Sequence, residues 1–202
     1  MRWMISSMLA IGLTSGLGLN LTSQEPAHLQ QIFTDLQSSA TSDNAAAQLR
    51  KEAESDTETR RYVAAHLPSL IKDSGPGSVW LNEVRLAGDL KISEAVPVLI
   101  DQVMRANTQG GFVTLTRALN LDNDPPGKAL AQIGEPAIVV VGHLLESSDR
   151  SVRFRACYIL AKIGSANAKG MLRNHLDKEN DRGIRHFTQN VLDAASQGSE
   201  QR

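Results

Sequence analysis

Ala129-Leu130-Ala131-Gln132-Ile133-Gly134 is echoed one helical hairpin further on by Ile159-Leu160-Ala161-Lys162-Ile163-Gly164. Both stretches run through small and apolar residues to a polar residue and then Ile-Gly. Each precedes a further apolar stretch with helical spacing. Self-similarity at such a period marks a stacked helical repeat, because one helical hairpin cannot bury both of its faces alone. The pair therefore decides for an all-α fold before any single residue is interpreted. A stack of hairpins is a way to build a surface, and function is expected on the faces that these residues support.

The pattern extends outward from this pair. Ser78-Val79 aligns on Ser151-Val152 without a gap, and the same offset places Gly88 on Ala161, Leu90 on Ile163, Ala95 on Ala168 and Leu99 on Leu172. Asp149-Arg150-Ser151-Val152-Arg153 recurs one unit later as Asp181-Arg182-Gly183-Ile184-Arg185. The aspartates are expected to cap helix starts, with the arginines one turn inside and stacked from repeat to repeat. Gly134 and Gly164 fall where a first helix ends, a position that favours left-handed backbone. Small residues at Gly88, Ala131 and Ala161 let neighbouring helices approach. Asp124-Pro125-Pro126 reads as a capped helix start, and Glu135-Pro136 opens the next helix, expected through Ser147.

Composition agrees with this reading. Of 202 residues, 41% are hydrophobic and only 4% aromatic, so the core must be aliphatic. Twenty-one Lys and Arg face 22 Asp and Glu, and a net charge of −1 lacks the basic footprint of a non-specific nucleic-acid binder. One cysteine, Cys157, permits neither an intrachain disulfide nor a CxxC metal site.

The segment 1–23 differs from the rest. Arg2 is its only charge, an apolar run covers Met4 to Leu13, and small and polar residues follow to Ser23. This is the layout of a secretory signal. Gly16-x-Gly18 and Ser23 offer cleavage positions without an Ala-x-Ala. An uncleaved anchor is the alternative, since Met4 to Leu21 carries no charge and is marginally long enough to cross a bilayer. Leu29, Ile32, Phe33 and Leu36 then predict an amphipathic helix over Gln24 to Ser39. A second helix is expected from a cap at Asp43 or Asn44 through Glu54, and a third over Thr59 to Ile71. Pro68 should kink or split the third. Beyond Ser74-Gly75-Pro76-Gly77, helices are expected over Ser78 to Leu90, Ser93 to Arg105 and Phe112 to Leu121.

Gly134-Glu135-Pro136-Ala137, the Ala-Leu-Ala-x-Ile-Gly run and Asp149-x-x-Val152-Arg153-x-x-Ala156 together resemble HEAT repeats. The subtype is similar to the short HEAT-like repeats of phycobilisome lyases. The resemblance covers residues 78 to 195 and is strongest from 124 to 177. The unit around Phe112 departs from it. It implies a right-handed α-solenoid of stacked antiparallel helix pairs. The expected division is a signal or anchor at 1–23, N-terminal helices at 24–74 forming a degenerate capping repeat, the array at 75–195 with an unpaired last helix, and a polar tail at 196–202.

No set of nucleophile, base and orienting group stands out. Cys157 on an apolar helix reads as a small core residue; Arg153 and Arg155 nearby are what a reactive thiol would need. His28, His66, His143, His175 and His186 contain no i, i+4 metal pair. His143 and His175 lie one unit apart and share a ridge in one register, whereas anchoring on Ala137 and Ala168 pairs His143 with Asn174 instead. All read as solvent-facing polar positions. Asp122-Asn123-Asp124 starts like a calcium loop, but the prolines that follow and the missing downstream acid favour capping. Glu52, Glu54, Asp56 and Glu58 with Arg60 and Arg61 read as a solvated charged face. Glycines 75, 77, 110 and 111 match no phosphate-binding fingerprint.

The resemblance implies binding rather than chemistry. The expectation is an exported, periplasmic or secreted scaffold without catalytic activity, cofactor or metal. Its protein partner is expected on the second helices, around Ser93 to Arg105, Pro136 to Ser147 and Ala166 to Asp177. No nucleic acid is expected, and no membrane beyond the N-terminal segment. A bilin lyase-like or enzyme-accessory role is one alternative, suggested by the repeat subtype, and a nucleic-acid-binding helical repeat is another.

Overall fold

The computed structural model describes residues 27–105 and 123–197. Ten α-helices account for most of them, and the described residues contain no strand. In chain order they are α1 (Ala27–Leu36), α2 (Ser42–Ser55), α3 (Thr57–Asp73), α4 (Ser78–Asp89), α5 (Val96–Arg105), α6 (Pro125–Ile133), α7 (Glu135–His143), α8 (Arg150–Ile163), α9 (Ala166–Leu176) and α10 (Arg182–Gln197). The expected N-terminal signal or anchor at 1–23, the helix over Phe112 to Leu121 and residues 198–202 of the tail lie outside the described residues.

The helix starts are set by short polar side chains. Asp149 accepts from the Ser151 N–H at 2.7 Å, Asp124 from the Gly127 N–H at 3.2 Å, Asp181 from the Ile184 N–H at 3.0 Å, and Ser165 from the Ala168 N–H at 3.2 Å. Each bond satisfies one of the amides that a helix leaves orphaned at its first turn. The ends are set by backbone handedness. Gly134 has φ +81° and Gly164 φ +66°, where a Cβ is disfavoured.

Several elements differ from expectation. α2 begins before the expected cap at Asp43 or Asn44, because the Ser42 N–H already bonds to the Ser38 carbonyl at 2.8 Å. Asp43 instead accepts from Asn82 of α4 at 2.6 Å. Pro68 does not split α3, which is helical throughout Thr57–Asp73. Proline removes its own amide from the ladder and crowds the carbonyl one turn back, and burial of Val63, Leu67 and Ile71 along one side holds the helix against that cost. The helix expected from Ser93 opens as a 3-10 turn, Ser93–Ala95, and α5 proper starts at Val96. The helix expected through Ser147 divides into α7 and a 3-10 turn, Leu144–Glu146. α10 continues to Gln197, past the expected start of the tail.

The helices pack in two rows. α2, α4, α6, α8 and α10 each contact the next in that order, and so do α3, α5, α7 and α9. The rows pack on one another through neighbours in sequence, such as α2 with α3 and α8 with α9. Between them runs an aliphatic core that includes Leu49, Leu67, Leu86, Leu99, Leu130, Ile138, Ile159 and Leu172, all nearly inaccessible. α4 and α6 approach closely because Gly88 has no side chain: a Cβ there would lie 2.9 Å from Ala129 Cα. The sparse aromatics tie down the outer helices. Phe33 of α1 meets Tyr62 of α3 edge-on at 5.2 Å, and Phe187 of α10 meets Phe154 of α8 at 5.1 Å. α10 buries Ile184 and Thr188 and leaves Arg182, Arg185, His186, Gln189 and Asn190 exposed.

Candidate functional site

The partner was expected on α5, α7 and α9, and the clearest surface feature lies between the last two. α7 presents Val139, Gly142 and His143 on one face, and the 3-10 turn that follows adds Glu146. α9 presents Met171, Asn174 and His175 on one face, and the turn beyond its end adds Lys178. The two ridges enclose a groove of about 220 Å³, with Leu145 also in its lining. Gly142 lets Met171 of the opposite wall come close, since a Cβ there would stand 2.6 Å from Met171 Sδ. Val139 is 60% exposed, and Met104 of neighbouring α5 is 48% exposed. These are the large hydrophobic side chains that the described surface leaves most uncovered.

Under the groove lies a buried charged network. His175 is not the solvent-facing residue expected: it is buried, with Nε2 3.0 Å from Glu179 Oε2. Arg153 of α8 donates to both Glu179 oxygens, from Nε at 2.8 Å and Nη2 at 3.1 Å, and the Asp181 N–H donates at 2.8 Å. Burial alone would raise the Glu179 carboxyl, but these hydrogen bonds and the Arg153 charge outweigh it and bring the group down to about 2. Asp181 is likewise held at about 2, first by the hydrogen bond from Arg150 and then by the Ile184 amide. The arginines expected to stack converge on this point: Arg185 Nη1 donates to the Glu179 carbonyl at 3.3 Å. The network fastens α8, the α9 end and the α10 start together, and so fixes one wall of the groove.

A second ion pair escaped sequence reasoning. Arg155 is buried and donates to both oxygens of Asp124, with Nε–Oδ2 at 2.8 Å, and also to the Val103 carbonyl. Asp124 is thus a helix cap, as expected, and also the counter-ion of a buried guanidinium. Arg60, read as part of a solvated face, is exposed and also reaches the Leu90 carbonyl at the end of α4. Within the same run, Asp56 caps α3 and Glu58 pairs with exposed Arg61.

The remaining candidates are dispersed. His28 is exposed near Glu52, His66 stacks on Tyr62 at 4.0 Å between ring centroids, and His186 is exposed beside Asn190. His143 and His175 do share the groove, His143 as an exposed member. Among the described residues no three His, Cys, Asp or Glu side chains are grouped to hold a metal ion. Cys157 is fully buried, and burial pushes its thiol up to about 11. Arg155 is engaged by Asp124 and Arg153 by Glu179, and burial outweighs the lowering that Thr188 and the Arg153 charge exert on the sulfur. A more open hollow of about 500 Å³ near the ends of α2, α4 and α6 is lined by Arg50, Glu54, Asp89, Lys91 and Gln132, with Arg50 and Asp89 already paired at 2.5 Å. No described helix is long and apolar enough to cross a membrane.

No protein-family model matches the sequence, and no curated protein matches it. The functional reading therefore rests on the geometry of the helical rows and the groove.

Proposed function

We propose that the chain is a right-handed α-solenoid of HEAT-like hairpins, acting as a scaffold without catalysis of its own. It binds a protein partner on the row formed by α5, α7 and α9, and it is exported, with residues 1–23 serving as signal or anchor. The solenoid reading is supported by the two rows of successive contacts and by the positive-φ glycines Gly134 and Gly164, which end successive helices of one row. The observation that carries the binding reading is the groove itself, lined by apolar Val139, Leu145 and Met171 beside polar His143, Glu146, Asn174 and Lys178, with Val139 largely uncovered at its rim. Uncovered apolar surface framed by polar groups is characteristic of interaction sites.

Affinity capture from the envelope fraction of the source cells, with wild type and Val139→Asp side by side, tests this reading. The expected result is a partner recovered by wild type and lost by the variant, with unchanged helical circular dichroism. Equal recovery by both proteins overturns the partner face. N-terminal sequencing of the purified native protein tests export: a start within residues 17–30 supports a cleaved signal, and recovery of an intact N-terminus in the soluble cytosolic fraction refutes export.

A further inference from the structure

α4 is pinned firmly at its end and loosely at its start. At the end, Gly88 lets α6 approach, Asp89 accepts from Gln132 at 3.1 Å and pairs with Arg50 of α2, and the Leu90 carbonyl takes Arg60 of α3. At the start, Gly77 supplies no side-chain cap, so the first amides of the helix lack the partner that α6 and α8 have. The linker from α3 leaves Gly75, Pro76, Gly77 and Ser78 exposed, with open space beside Gly75. Just inside this start lies Glu83, inaccessible and with neither carboxylate oxygen hydrogen-bonded in good geometry. Burial raises its carboxyl, and the Ser74 hydroxyl just beyond α3, which pulls it down, does not offset that.

No charge on the helices packed against α4 compensates Glu83. On α2, Asp43 accepts from Asn82 and Arg50 pairs with Asp89; on α3, Arg60 reaches the Leu90 carbonyl and Lys72 and Asp73 are exposed. On α6, Lys128 is exposed, and on α1, Asp35 is bonded to Gln31. An ionised carboxylate in such a place must gain water, because it has no counter-charge to gain. The seam with α2 is held at the same turn, where Asn82 donates to Ser42 at 3.0 Å and to Asp43 at 2.6 Å. The seam with α3 ends in the uncapped, glycine-containing linker, and it offers water the shortest way in. We propose that the α3–α4 junction is a proton-controlled joint, closed while Glu83 is neutral and opened to water at the first turns of α4 when Glu83 ionises. The end of α4 stays docked in both states, so the joint loosens the N-terminal helices from the array without unfolding either.

Trp80 is a reporter already in place. It is half-buried against the core one turn before Glu83, on the same side of α4. The full chain carrying Trp3→Phe keeps it as the single tryptophan. Acrylamide quenching of Trp80 is then followed from pH 4.5 to pH 9. A carboxyl raised on folding titrates above its ordinary value of 4.5, so the quenching constant is expected to rise roughly twofold in one transition within this range, at constant far-UV circular dichroism. Adding Glu83→Gln should hold quenching at its low-pH level throughout. Should that variant fail to fold, Glu83→Met takes its place with the same expectation. Glu179→Gln should leave the transition where it is, because that carboxyl titrates at about 2, below the range scanned. Quenching that is flat with pH, or that titrates equally once Glu83 is replaced, overturns the joint. Loss of helical signal in step with the quenching, or a transition moved by Glu179→Gln, overturns it too, since the opening would then be global.

Discussion

At the scale of single residues, the instructive groups are the buried charges. Asp124 and Arg155 have side chains only 4% exposed, and each has the other as counter-ion. Removing one partner strands a charge in the core, which costs about 3–5 kcal/mol, whereas removing both exchanges a desolvated pair for apolar packing. Asp124→Asn and Arg155→Met should therefore each destabilise strongly in urea unfolding, and the double variant should lose clearly less than the sum. Additive losses would mean that the two side chains act independently. Glu83 poses the opposite problem. It is inaccessible on α4, and neither carboxylate oxygen has a hydrogen-bond partner of good geometry. Burial raises its carboxyl above the ordinary value of 4.5. A carboxyl raised on folding costs least while protonated, and the added cost accrues as pH rises from the unfolded value to the folded one. Glu83→Met should thus stabilise the protein at pH 8 by about 1–3 kcal/mol. The gain should shrink toward pH 4 in thermal melts taken across the range. A gain independent of pH would assign the effect to packing instead.

At the scale of elements, α10 has a dual attachment. Its apolar side inserts Ile184 and Leu192, and its start is held by Glu179 and Asp181 bonded to Arg153 and Arg150. Both carboxyls are lowered on folding, to about 2 from ordinary values of 4.5 and 3.8. A depressed carboxyl stabilises above its unfolded value and loses that contribution as pH falls through the folded one. Stability of the α8–α10 region should therefore decline between pH 4.5 and 2, before the aliphatic core alone would give way. Fluorescence of a Trp introduced by Phe187→Trp, with Trp3 and Trp80 replaced by Phe, reads this locally. Glu179→Gln should destabilise the protein at pH 7 and flatten the acid transition. An unchanged transition in that variant would remove Glu179 as its cause.

The same elements show what could be read from sequence. Gly134, Gly164, Asp149 and Asp124 act within one turn of themselves, so their roles were visible as local spacing. Arg60, Arg153 and Arg155 act across helices, on Leu90, Glu179 and Asp124, and no local pattern names those partners. The side of a helix that faces its neighbour depends on register, and one residue of slip turns it by about 100°. That is why His143 and His175 could not be placed from spacing alone, and why His175 proved buried while His143 is exposed. The groove was unreadable for the same reason. It exists because Gly142 and Met171 meet, and these residues belong to different hairpins.

At the scale of the whole molecule, contacts run almost entirely between helices close in sequence, the farthest of the substantial ones being α1 with α4 and α5 with α8. On the solenoid reading proposed above, stability sums largely over neighbouring interfaces. Amide hydrogen exchange should accordingly be graded, with greatest protection in α4, α6 and α8 and least in α1 and α10. Uniform protection from α1 to α10 would contradict this arrangement.

Cys157 lies at the centre of that gradient. It is the chain's sole thiol, inaccessible in the middle of α8, and held at about 11. Nearly no thiolate exists at neutral pH while α8 is packed, and an ordinary thiol is regained when it opens. Each molecule therefore carries a built-in clock. Its labelling rate with a disulfide reagent counts openings of α8, undisturbed by any second thiol.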